Sequence, residues 1–107
     1  MPDIDAISDP PVRAVVAAIN AADRDGFFAS ITSDATLSDD GVERDLTQWV
    51  DREVFISHGR MENVVSQSED GRSFVVDYRN DTYGLMRTAW KFEVSDGKVS
   101  RIETGQA

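Results

Sequence analysis

From Arg60 onward the apolar period changes to two, and this constrains the fold more than anything else in the chain. Successive strand side chains point to opposite faces, so the pattern marks strands with one buried side. Four are expected, over residues 60–69, 73–81, 85–95 and 98–105. Asp70-Gly71 and Asp96-Gly97 fall between them, and both pairs suit the left-handed backbone of tight hairpins. In the second strand Phe74, Val76 and Tyr78 alternate with Val75, Asp77 and Arg79. In the third, Met86, Thr88, Trp90, Phe92 and Val94 alternate with Leu85, Arg87, Ala89, Lys91 and Glu93. The charged set belongs toward water or a partner, the other set toward a core. Between these strands Asn80-Asp81 and Tyr83-Gly84 are two turn signals, one for the hairpin and one for a bulge.

Before Arg60 the spacing is helical. Asp9-Pro10-Pro11 is a start signal, with Asp9 as cap and proline in the first turn. Val12, Val15, Val16 and Ile19 then form one apolar stripe, ending near residues 22–24. "DRDGFFASI" reads as a short second helix with Phe27, Phe28 and Ile31 on its buried side. "ATL" is a brief extended piece, and "SDDG" turns the chain. Asp45 to Gln48 resembles a capping box, after which Leu46, Trp49, Val50 and Val54 share a face and Gly59 supplies a stop. Helices followed by an antiparallel meander define an α+β fold, with helices on one face of a sheet that twists and curls around them. The length of 107 residues allows one domain, over 1–107, with residues 1–8 as a loose leader.

Composition removes several classes of function. The formal charge of −9 opposes binding to nucleic acid and to anionic lipid. No apolar run approaches the roughly 20 residues of a membrane span. The N-terminus lacks the basic and apolar regions of a signal peptide, so a cytoplasmic location is the default expectation. Absence of cysteine removes disulfides and thiolate chemistry. With a single histidine, and no calcium-loop spacing at Asp39-Asp40-Gly41, neither a metal nor a phosphate-bearing cofactor is expected.

The stretch "DRDGFFASITSDATLSD" and the closing "WKFEVSDGKVSRIETGQ" resemble the nuclear transport factor 2-like superfamily, over roughly residues 10–105. That superfamily includes ketosteroid isomerases, SnoaL-like polyketide cyclases, scytalone dehydratase and limonene epoxide hydrolase. The resemblance implies helices packed in the concave face of a strongly curved antiparallel sheet, a cone whose open end is a partly apolar pocket. It is greatest to short bacterial members. Matched through "DAT", Asp39 falls where ketosteroid isomerases carry their general base. The oxyanion-hole tyrosine falls near Val15 and the protonated acid at Trp90 or Ala89, so that machinery is incomplete here. The resemblance also implies frequent dimerisation through the outer sheet face.

Each candidate residue has a plainer reading beside the functional one. Asp39 is either a carboxylate inside the pocket, acting as acid or base, or part of an ordinary Asp-Asp-Gly turn. His58 is either a second acid–base group or a cap on the third helix. Trp90, Trp49, Tyr78, Phe92 and Phe28 are either pocket wall or core. Asp77 and Arg79, on one side of a strand, have the residue types of an epoxide hydrolase but read as a surface ion pair worth under about 1 kcal/mol. The expected function is binding of a small apolar or amphipathic molecule. The alternatives are a cofactor-independent isomerase, lyase or cyclase using Asp39, and a non-catalytic homodimeric module.

Overall fold

The computed structural model describes residues 6–107. Helix α1 spans Pro10–Asn20 and α2 spans Arg24–Ala29. Strands β1 (Ile31–Asp39) and β2 (Val42–Arg44) follow. Helix α3 covers Leu46–Val50 and continues as a π-helical segment over Asp51–Ile56. The remaining strands are β3 (Arg60–Gln67), β4 (Ser73–Asn80), β5 (Gly84–Ser95) and β6 (Lys98–Gln106). One curved, unclosed sheet runs in the order β2-β1-β6-β5-β4-β3. Its pairings are antiparallel except that of β1 with β6, which is parallel.

The caps are those the sequence proposes. Asp9 accepts from the Val12 N–H and Asp45 from the Gln48 N–H, at 3.4 and 3.0 Å. The apolar stripe of α1 is buried, with Val12, Val15 and Val16 at 0% exposure. Asn20 fixes the end of that helix to β3. Its Nδ2 donates to the Met61 carbonyl at 3.0 Å, and its Oδ1 accepts from the Met61 N–H at 2.7 Å. The face of β5 carrying Thr88, Trp90 and Phe92 is buried against the helices, while Arg87, Lys91 and Glu93 are exposed. Ile7 is fully buried in the same core, and residues 1–5 of the expected leader lie outside the described part.

Several details differ from expectation, and Ile31, expected on the second helix, instead opens β1. The "ATL" piece is the middle of a nine-residue strand. Polar residues at Ser33, Asp34 and Thr36 hide that strand in the sequence, and pairing with β6 and β2 imposes it. Asp70-Gly71 sits in a five-residue connection, 68–72, rather than a two-residue turn. Its carboxylate there accepts from the Ser68 hydroxyl and the Arg72 N–H, which holds the pKa of Asp70 below the usual range. Asp77 and Arg79 do not pair with each other. Asp77 lies opposite Arg87 across the strands and binds it at 3.1 Å, and Arg79 binds Glu62 at 3.1 Å.

Candidate functional site

The Asp39-Asp40-Gly41 sequence splits its two aspartates between two jobs. Asp40 and Gly41 have φ of 50° and 81°, the left-handed pair of a tight hairpin. Asp39 is the last residue of β1, opposite Val42 and alongside Thr104 of β6. Alternation puts it on the face of Leu37, which is fully buried, so its side chain points inward. Asp40 stays at the rim, where its Oδ1 accepts from the Gln106 N–H at 3.1 Å.

Helix α3 brings the second wall. Trp49 is 7% exposed, and its indole Nε1 donates to Asp39 Oδ2 at 3.1 Å. Glu53, one turn later, faces the same space. The sheet supplies Tyr78 from β4 and Met86, Thr88 and Trp90 from β5. Together they enclose a hollow of about 270 Å³, with Tyr83 and Gln106 at its mouth. Trp90 packs edge-on against Trp49 at 6.3 Å between ring centroids and lies 5.8 Å from Tyr78.

The π-helical segment is pinned to the β4–β5 turn beside this hollow. The Glu53 carbonyl accepts from the Tyr78 hydroxyl at 2.9 Å and from Asn80 Nδ2 at 3.2 Å. The Asp81 N–H donates to the Ser57 carbonyl at 2.7 Å. Burial pushes the Tyr78 phenol far above its ordinary pKa, and the negative charge of Glu53 pushes it the same way. That hydroxyl is therefore a neutral donor across the physiological range.

Of the residues proposed from sequence, Asp39, Trp49, Tyr78 and Trp90 meet around this hollow. Phe92 does not line it; the ring is buried behind Trp90 and stacks on it at 6.2 Å. Phe28 lies at a separate surface hollow with Thr32 and Thr47, under the Arg24 guanidinium at 4.7 Å. His58 is also outside. It occupies the left-handed position after the helix, with φ of 57°, and its Nδ1 meets Asp81 Oδ2 at 2.5 Å. Both of those side chains are about 70% exposed, at 70% and 68%. The oxyanion positions implied by the resemblance are also occupied otherwise. Val15 is deep in the core, and the Trp90 Nε1 donates to Thr88 Oγ1 at 2.8 Å. Glu53, Thr88 and Thr104 were not among the proposed site residues. The signal for Glu53 is its i+4 spacing from Trp49 on a helix.

Helices held in the concave face of a curved, unclosed sheet are the nuclear transport factor 2-like fold, and solved structures match it over most of their length. A proposed polyketide cyclase from Sinorhizobium meliloti superposes with a TM-score of 0.69 at 20% identity, covering 97% of this chain and 94% of that one. A nuclear transport factor 2-like protein of unknown function from Cytophaga hutchinsonii gives 0.67 at 12% identity, covering 88% and 84%. A computationally designed 17-OHP binder gives 0.66 at 12% identity, covering 91% of each chain. No protein-family model matches the chain, and no curated relative matches it. No helix among the described residues is long and apolar enough to cross a membrane.

Proposed function

We propose that the chain is a small-molecule-binding domain whose ligand occupies the hollow beside Asp39. The observation that carries this reading is the Asp39 carboxylate itself. It enters a space walled by Trp49, Tyr78 and Trp90, and only its Oδ2 is engaged by the protein among the described residues. The side chain is half-buried, and its second oxygen is left open to the hollow, where a bound molecule can reach it. The volume is slightly below the roughly 300–1,000 Å³ of drug-sized sites, so the ligand is small. Both tryptophans border the hollow, which makes intrinsic fluorescence the assay. In a screen of small amphipathic compounds, binders should shift that fluorescence and lose about tenfold or more in affinity in Asp39→Asn. The urea midpoint should stay near wild type, because the amide oxygen still accepts from Trp49. Binders whose amide shifts map to the outer sheet face would refute the reading.

The inward carboxylate also favours a second reading, acid–base turnover of the bound molecule by Asp39. A neighbour of the same fold is a proposed polyketide cyclase, which is compatible with it. Here Asp39→Asn abolishes turnover while binding persists. Independently, the outer sheet face suits pairing with a second copy. Val75, Ala89 and Gly105 form a shallow apolar strip there, flanked by Lys91 and Glu103. Sedimentation at high protein concentration tests this, and a clean monomer rejects it.

A further inference from the structure

We propose that the occupant of this hollow is a small organic cation, an alkylammonium or quaternary ammonium compound. This inference rests on the small-molecule reading above and names the chemistry of its ligand. Three independent features converge on it.

The first is the state of the hydrogen-bond donors. Trp49 donates to Asp39, Trp90 to Thr88, Tyr78 and Asn80 to the Glu53 carbonyl, and Thr104 Oγ1 to the Ala89 carbonyl. The indole, phenol and amide donors are thus directed at protein partners, Thr88 keeps one hydroxyl proton to give, and Asp39 Oδ1 is an open acceptor. A ligand gains most here by bringing donors or positive charge to Asp39, and one that presents a carboxylate meets charge of its own sign.

The second is charge. The lining holds the carboxylates of Asp39 and Glu53, with Asp40 at the rim, and among the described residues no Lys, Arg or His lines it. Glu53 has one oxygen on Arg52 Nε at 3.0 Å, but the Arg52 side chain is 62% exposed and lies outside the hollow. Asp39 has no cationic partner among the described residues. The chain's net charge of −9 adds a long-range field of the same sign, drawing cations in.

The third is the aromatic wall. Trp49, Tyr78 and Trp90 line the space, with Tyr83 at the mouth. Ring faces attract a cation, and tryptophan does so most strongly, because the π-system carries negative charge on its face. Rings alone suit any apolar ligand, and carboxylates alone suit water. The combination within one hollow selects an alkylated ammonium group, and a quaternary one above all, because its surface is apolar and its charge diffuse.

The test compares two probes of the same shape, choline and dimethylbutanol, its neutral carbon isostere. Each is titrated at fixed ionic strength while tryptophan fluorescence is followed. Choline should bind at least about tenfold more tightly than the alcohol. Asp39→Asn should remove most of that preference, and Glu53→Gln part of it, with near-ultraviolet circular dichroism confirming that each variant is folded. If the alcohol binds as well as choline, or the preference survives both substitutions, the cation proposal is overturned and the small-molecule reading stands. If neither probe moves either tryptophan, and no neutral or anionic amphiphile does so, the small-molecule reading fails and this proposal with it.

Discussion

The Glu53 carbonyl is shared by two donors, and removing them singly and together tests whether this oxygen holds the π-helical segment in place. Tyr78→Phe deletes the hydroxyl at 2.9 Å but leaves Asn80 Nδ2 on the same oxygen. No buried group is orphaned, so the cost should be about 1 kcal/mol. Asn80 is 3% exposed and makes two bonds, to Glu53 and from the Tyr83 N–H at 2.9 Å. Asn80→Ala should therefore cost about 2 kcal/mol. In the double variant the carbonyl loses both donors at once. That unsatisfied acceptor should add about 1 kcal/mol, bringing the total to about 4 kcal/mol where simple addition gives about 3 kcal/mol. Urea unfolding followed by far-ultraviolet circular dichroism reads all four corners of the cycle. A sum that is additive within about 0.5 kcal/mol would refute the reasoning. It would mean that water entering from the hollow satisfies Glu53 as well as the side chains do.

Two further outcomes follow from the same geometry. Because burial raises the Tyr78 pKa in the folded state, the unfolded chain alone releases the proton above pH of about 10. Stability is thus complete below that pH and falls above it, by up to about 1.4 kcal/mol per pH unit, and Tyr78→Phe should flatten the slope in alkaline urea titrations. At the β5–β6 hairpin, Asp96 and Gly97 have φ of 52° and 78°. Gly97→Ala should cost about 1–2 kcal/mol in the same unfolding assay, since a Cβ is strained at that angle.

The sheet from Arg60 was readable because buried residues alternate along β4 and β5, although β3 and β6 break the period at Met61 to Val64 and at Val99 to Ile102. Thr88, Trp90 and Phe92 have nowhere to go but inward once Arg87, Lys91 and Glu93 require water. The first two strands were not readable in this way. Val42, Glu43 and Arg44 are all exposed, so β2 carries no periodic signal and exists through its hairpin alone. The parallel pairing of β1 with β6 is a long-range event that local composition does not encode. At the site, the direction of Asp39 was the open question. It is settled by parity, since Asp39 shares a face with Leu37 two residues earlier once β1 is known to run that far. His58 looked equivalent to Asp39 by residue type, but the backbone at φ of 57° carries its ring toward Asp81 and the surface. Which donors are already committed is legible only from distances.

Strand β6 follows the other five in sequence yet lies in the interior of the sheet, between β1 and β5. Until it is in place, β1 has only the three residues of β2 for a neighbour, and the strand that carries Asp39 is exposed on its other edge. Assembly must therefore wait for contacts spanning most of the chain, such as Leu37 with Ile102. High sequence separation slows folding and lengthens the time an open strand edge is offered to other molecules. A nascent chain released before Lys98 would have its helices and its β3–β5 meander but no means of closing the cone, making it a natural client for chaperones.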